Sequence, residues 1–215
     1  MLTRRERNFS FEDVHEEGTA RIAEAVAKYD VDRFVHMSSF NADPTSSSDF
    51  FRTKGKSEEI ARSIFPETTI VRPAPMFGWE DRLLNRFAGE QQIWASNHLM
   101  ERSRPVHVID VGAALEKMVE DDTTTQQTYE LFGPTEYSMR DVYEIASKEV
   151  MRKRPIINIP KRLRKPLSFA LARFLWFTET NYDLVEREFH DQKIDPTAKT
   201  FRDLGIEPME LKAVS

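Results

Sequence analysis

The chain has no cysteine. That excludes disulfides, thiolate metal sites and a cysteine nucleophile. Glycine is scarce as well: seven in 215 residues, at positions 18, 55, 78, 89, 112, 133 and 205. A dinucleotide phosphate is cradled by closely spaced glycines that follow a strand and let backbone amides approach the pyrophosphate. No two glycines of this chain lie near enough to form such a loop. There is also no P-loop, no His-Glu-x-x-His pair and no Gly-x-Ser-x-Gly elbow. His15, His36, His98, His107 and His190 are scattered, and packing or solvent-facing roles suit each better than metal ligation. No apolar run approaches the roughly 18–20 residues that cross a bilayer. Basic charge is not in excess: 31 Lys and Arg against 36 Asp and Glu leave a net charge of −5, which argues against binding nucleic acid. The opening stretch Met1 to Arg7 is basic but lacks the apolar core of a secretory signal, and with Glu6, Glu12 and Asp13 so early no clear transit peptide stands out.

What is present reads as a globular α/β chain. Hydrophobic residues make up 40% and charged residues 31%, a soluble balance at a length that fits one sizeable domain or a domain with a small extension. Ser10-Phe11-Glu12-Asp13 has the spacing of a capping box, and apolar residues then recur at helical intervals, predicting a helix over 11–29. Val31 to Met37 reads as a buried strand, 41–49 as a loop, 54–64 as a helix ended by Pro66, and 68–72 as a second buried strand stopped by Pro73. Alternating helix and strand implies a parallel sheet with right-handed crossovers. Further on, a helix is expected over 80–91 and a strand over 106–109. Asp110 is expected to cap a helix that buries Val111, Ala114, Leu115, Met118 and Val119. A strand over 128–132 and a helix capped by Ser138 and Asp141 follow.

From Arg152 the texture changes to basic clusters, and 166–177 is apolar and aromatic. The expected division is therefore a partial dinucleotide-binding domain over 1–152 and a helical or irregular extension over 153–215. The basic lead-in and apolar run over 161–177 offer a surface for an anionic membrane or a neighbouring subunit, with an intramolecular packing role as the equal alternative.

The chemistry centres on Phe50-Phe51-Arg52-Thr53-Lys54, just beyond the strand that ends in Ser38-Ser39. An aromatic and a lysine four apart after such a strand match the Tyr-x-x-x-Lys layout of short-chain dehydrogenases. Spacing alone favours a packed ring and a solvated lysine. The neighbouring blocks reverse that weighting: Asp32 to Ser39, Phe50-x-x-x-Lys54-x-x-x-Glu58, and Ile70 to Gly78 resemble, in order, the active-site strand, the Tyr-x-x-x-Lys helix and the proline-containing strand exit of the extended or atypical members. In those enzymes the tyrosine gives a proton to the substrate and the lysine holds the nicotinamide ribose. Phe50 has no proton to give, so the resemblance implies no catalytic residue here.

Asn8 to His15, Phe77 to Asn85, and Asp203-Leu204-Gly205-Ile206-x-Pro208-x-Glu210-Leu211-Lys212 narrow the resemblance to the dehydrogenase-like alpha-subcomplex subunit 9 family of mitochondrial complex I. It runs nearly end to end and is weakest over about 155–200. It implies a Rossmann-like fold, a non-catalytic accessory role beside other subunits of the matrix arm, a place on the matrix side of the inner membrane, and a degenerate NADPH site. Carried over, Lys54 meets the ribose, Ser38 lines the site, and Arg72, Pro73, Ala74 and Met76 border the nicotinamide. The family's N-terminal nucleotide-binding half is not in this sequence. The strand at Phe34 to Met37 is therefore expected to leave an apolar edge, and the chain alone to be marginally stable. The other readings held open are an active NAD(P)-dependent extended reductase or epimerase, and a soluble dinucleotide-sensing regulator of the same fold.

Overall fold

The computed structural model describes residues 9–174 and 182–214. In chain order the strands are β1 (Val35–Met37), β2 (Thr69–Pro73), β3 (Met76–Phe77), β4 (Ile93–Ala95), β5 (Arg102–Ser103), β6 (Val106–His107), β7 (Thr128–Leu131), β8 (Tyr137–Ser138) and β9 (Ile156–Asn158). The helices are α1 (Gly18–Lys28, led in by a π-helical turn at Glu12–Glu17), α2 (Asp49–Ile64), α3 (Leu84–Gly89), α4 (Val108–Glu120), α5 (Met139–Glu149), α6 (Lys161–Phe174), α7 (Tyr182–Arg187) and α8 (Leu211–Val214). The chain forms two compact units. The first takes residues 1–74, 109–132 and 193–207, and the second takes 75–108, 133–192 and 208–215. Residue 152, where the sequence texture changes, falls inside the second unit. Composition reports where the surface character shifts, whereas the units are set by which distant segments pair.

The first unit is built on a parallel sheet ordered β1-β2-β7. Val35, His36 and Met37 pair with Thr69, Ile70 and Val71, and Ile70 to Pro73 pair with Thr128 to Leu131. The central strand is the driest: Thr69, Ile70 and Val71 have no exposed surface, as expected for a strand covered on both faces. Beyond β7, the segment around Lys199 adds two backbone bonds, Glu130 N–H to Lys199 O and Lys199 N–H to Thr128 O, each 2.8 Å. Beyond β1 no strand pairs among the described residues. The expected helix–strand alternation and parallel α/β, Rossmann-like sheet are thus present.

Local chemistry explains where these elements start and stop. Ser48 accepts from the Phe51 amide and starts α2 at Asp49, five residues before the predicted start. That places both Phe50 and Lys54 on the helix. Gly55 lets α2 lie against the preceding loop, since a Cβ there would sit 2.3 Å from the Pro44 nitrogen. β1 is shorter than expected. Asp30 takes a left-handed conformation (φ 50°), and Arg33 is drawn off to the end of α4, donating to the carbonyls of Met118 and Asp121. Pro73 is the last paired residue of β2 rather than the residue that stops it. The expected strand over 106–109 ends at His107, because Val108 and Ile109 turn outward into α4. Asp110 is therefore buried in the first turn of α4, not its cap. Val111, Ala114 and Met118 form the buried stripe, and Val119 falls outside it, 59% exposed.

The second unit joins β4 to β9 and β3 to β6 in parallel and β5 to β8 antiparallel. Its apolar core includes Phe77, Phe87, Ile93, Leu99, Tyr137 and Val142. The Asp81 carboxylate accepts from the Leu84 amide at 2.5 Å, so α3 begins after that cap and is shorter than the predicted 80–91. α5 carries the predicted capping box of Ser138 and Asp141. His98 and Leu99 are consecutive left-handed residues, at φ 63° and 61°. On α6, Lys161 and Lys165 pair with Glu186, and Arg164 pairs with Glu188. Leu163 and Leu167 lie on its exposed side. Residues 175–177, and the side chains from Phe169 onward in the apolar run, lie outside the described residues.

Candidate functional site

The first unit gathers a polar cluster at the carboxyl ends of β1 and β2, the position where open α/β sheets bind ligands. The Phe34 carbonyl and the Ser38 amide bond to β2, so Val35 and Met37 direct their backbone groups to the open side of β1. The Met37 carbonyl accepts a hydrogen bond from Lys54 Nζ at 3.0 Å. Ser38 is fully buried. Its amide donates to Val71 O at 2.7 Å, and its Oγ has no hydrogen-bond partner among the described residues.

Lys54 is only 5% exposed. Burial brings its amine down to about 8, and the Glu58 carboxylate one turn further along α2 opposes that fall. Glu58 is held in turn by Arg72 on β2 through a two-pronged contact, Nε to Oε1 at 2.9 Å and Nη2 to Oε2 at 2.7 Å. The remaining Arg72 nitrogen stands 3.6 Å from Glu130 on β7 and 3.6 Å from Asp195. Its hydrogen bonds to Glu58 outweigh the cost of burial and hold the guanidinium even more firmly protonated than usual. Arg72 thus serves as the hub of an internal ion network. Pro73 closes the β2–β7 pairing, and the Ala74 amide donates to Leu131 O at 2.8 Å. Met76 opens β3 in the second unit.

Beneath Lys54 lies a buried layer of hydroxyls and imidazoles. His36 Nε2 meets Ser57 Oγ at 3.0 Å, and His15 Nδ1 meets Thr53 Oγ1 at 2.8 Å. Burial first, then the charge of Lys54 and the proximity of His15, pull His36 down to about 4. Both imidazoles are buried and engaged by hydroxyls of α2. Phe50 is 4% exposed, edge-on to Phe11, His15 and Phe51 at 5.5–5.9 Å between ring centres.

Of the six predicted contact residues, the sheet brings Ser38, Lys54, Arg72, Pro73 and Ala74 into one unit. Glu58, Glu130 and Asp195 were not predicted as site residues. Glu58 stood in the quoted block without a role, and Glu130 and Asp195 carry no local signal because only pairing of distant segments brings them to Arg72. The arrangement can bind and orient a hydroxyl-bearing group: a buried hydroxyl without a partner and an ammonium with a single protein acceptor, both counted among the described residues, are complementary to a sugar diol. With a phenyl ring at position 50 there is no phenol on this helix to move a proton. Among the described residues no cluster could hold a metal ion, and no helix is long and apolar enough to cross a membrane.

No protein-family model matches the chain. Among curated proteins it is 57% identical over 205 residues to the mitochondrial NADH-ubiquinone oxidoreductase 40 kDa subunit of Neurospora crassa, covering 95% of this chain and 55% of that protein. It is 32% identical over 225 residues to the mitochondrial NADH dehydrogenase [ubiquinone] 1 alpha subcomplex subunit 9 of Mus musculus, covering 97% and 57%. The chain therefore spans a little more than half the length of these relatives. Solved structures with a similar fold include a double mutant of the dTDP-glucose 4,6-dehydratase DesIV from Streptomyces venezuelae with NAD bound. It has a TM-score of 0.66 at 13% identity, over 95% of this chain and 64% of that one. The epimerase Mth375 from Methanothermobacter thermautotrophicus superposes with a TM-score of 0.61 at 16% identity, over 86% and 62%.

Proposed function

Because the chain belongs to the family of the 40 kDa and alpha-subcomplex-9 subunits of mitochondrial NADH-ubiquinone oxidoreductase, we propose that it serves that complex as a non-catalytic accessory subunit. Its contribution is structural, on the matrix side of the inner membrane, with a degenerate dinucleotide site that supports assembly or stability. The observation that carries the non-catalytic part is Phe50. It occupies the acid's place on α2 with a buried ring, while Lys54 on the same helix stays in position to hold a ribose.

NADPH is the nucleotide proposed for that site. Ser38 Oγ and Lys54 Nζ would meet the nicotinamide ribose, with Pro73 and Ala74 alongside. Arg72, engaged by three carboxylates, supports the site from behind. When bound, the nicotinamide could supply a hydride. This chain's own residues would orient the ribose and hold a positive charge beside it, and they have no phenol with which to protonate a substrate. No glycine pair of the spacing that cradles a dinucleotide phosphate is among these 215 residues.

Contact with a membrane surface or a neighbouring subunit is proposed for α6. The exposed Leu163 and Leu167 support it, but the basic lead-in supports it less than the sequence alone implied, because Lys161, Arg164 and Lys165 are paired internally.

Native electrophoresis of detergent-solubilised inner membranes from the source organism, probed with an antibody to this chain, tests the assignment. The expected result is co-migration with NADH-ubiquinone oxidoreductase activity. Migration as a free soluble species would overturn it. Nucleotide released from the purified complex by acid, identified by chromatography, tests the cofactor separately.

A further inference from the structure

We infer that Glu58, clamped by Arg72, is the positioning residue that keeps Lys54 an oriented ammonium at the end of β1. The inference deepens the nucleotide-site reading above and rests on it for the identity of the ligand.

A lysine amine buried to this degree is expensive to keep charged unless a fixed counter-charge stands nearby. On α2, Glu58 follows Lys54 by four residues, the spacing that puts two side chains on one helix face. Glu58 is itself 8% exposed, and both of its oxygens are engaged by the Arg72 fork, at 2.9 and 2.7 Å. It is therefore held on the guanidinium. It acts on Lys54 through its field, while Lys54 Nζ stays on the Met37 carbonyl at 3.0 Å with donors to spare. Arg72 keeps its place independently, because Glu130 and Asp195 hold its other nitrogen.

The titratable groups around Lys54 come from every element packed on it. The π-helical turn before α1 supplies His15, β1 supplies His36, α2 supplies Glu58, and β2 supplies Arg72. The His36 imidazole stays neutral near pH 7, since burial draws it down to about 4. Glu58 is thus the anion that offsets the burial of Lys54. Were Glu58 free of Arg72, it would be expected to turn to Lys54 directly and occupy the donors a ribose needs. The clamp leaves the amine charged, bonded to the Met37 carbonyl and with donors to spare.

The test uses the full chain with lysines converted to [13C]dimethyl-lysine, Lys54 assigned by comparison with Lys54→Arg, and titrated by NMR without ligand. Glu58→Gln, which keeps the side-chain shape, should move the Lys54 midpoint down by about one unit, and Glu58→Asp should restore part of it. Arg72→Gln should move it up, because the released carboxylate then faces Lys54. Opposite signs from two neighbouring substitutions are not produced by general loosening of the fold. Near-unchanged midpoints in Glu58→Gln with intact circular dichroism, or shifts of the same sign in both variants, would overturn the inference. NADPH binding, followed by nucleotide fluorescence on the native complex, is read separately. There Glu58→Gln should lose affinity at a lower pH than the natural sequence, with affinities equal within about twofold at pH 6, where Lys54 is protonated in both. Shifted Lys54 midpoints without NADPH binding would sink the nucleotide reading alone.

Discussion

His36 on β1 and Ser57 on α2 share a hydrogen bond of 3.0 Å, Nε2 to Oγ, in a layer where neither side chain is more than 9% exposed. The folded chain holds this imidazole neutral down to about pH 4, whereas an unfolded histidine takes its proton near 6.5. Between those values the unfolded state binds more protons, so stability falls as pH drops from about 6.5 to 4 and is unaffected by this group above 6.5. The loss is on the order of 3 kcal/mol. Urea midpoints at pH 7 and pH 4.5, compared between the natural sequence and His36→Gln, check it: the acid-side fall should be smaller in the variant.

Lys54 acts with the same sign on the alkaline side, where stability again rises with pH. Its folded amine loses its proton near 8 and its unfolded amine only near 10.5. The burden of burying the charge is therefore present below pH 8 and is relieved as pH rises from 8 toward 10.5. Lys54→Met should stabilise the chain at pH 7, and the gain should shrink by pH 10. Denaturation curves at the two pH values decide it.

In the second unit, Glu101 offers an independent titration. Burial raises its carboxyl to about 7, with the nearby Glu188 adding to the rise, and its Oε2 has no hydrogen-bond partner among the described residues. The folded state keeps a proton that the unfolded state releases near 4.5, so this group's contribution is lost as pH rises through 7. Glu101→Gln should be close to neutral at pH 5 and stabilising by about 1–3 kcal/mol at pH 8. A variant less stable than the natural sequence at pH 8 would contradict this.

Gly55→Ala should destabilise. The added carbon would meet the backbone of Asp43 and Pro44 at 2.3–2.5 Å, and neither α2 nor the proline loop can yield without disturbing the other. The expected cost is about 1–3 kcal/mol, read as a lower urea midpoint with little change in slope. Phe50→Ala should cost about 3–5 kcal/mol by opening a cavity among Phe11, His15 and Phe51.

The open side of β1 predicts marginal stability for the isolated chain. Val35 and Met37 direct their backbone groups away from β2, and Phe9, Ile22, Tyr29 and Val31 are exposed apolar side chains of the same unit. Such an edge invites association. Light scattering during a thermal ramp should rise before or with unfolding. A reversible, concentration-independent transition would count against the prediction.

Much of this was legible in the residues because the signals were local. Ser138 and Asp141 made the capping box their spacing foretold, and Thr69 to Val71 formed a dry central strand because an unbroken β-branched run suits burial on both faces. Errors arose where a competing local bond decided the matter. Asp81 capped α3 from a position read as helix, and Arg33 was drawn to the end of α4 out of a segment read as strand. The site divided in the same way. Lys54 and Ser38 follow from a short spacing after a strand, but the carboxylates that fix Arg72 come from positions 58, 130 and 195, and no window of sequence contains them.

That separation has a kinetic consequence. Arg72 and its last anion, Asp195, are 123 residues apart, so the ion network closes only after that whole span has been synthesised. Long-range closures of this kind are slow relative to helix formation. Until then a guanidinium and the Glu130 carboxylate sit near the sheet without their full complement of partners. The Arg72 end of the network beside Lys54 is thus complete only once Asp195 is present, and chains that stop short of Asp195 would present the amine and its hydroxyl neighbour beside an incomplete ion network.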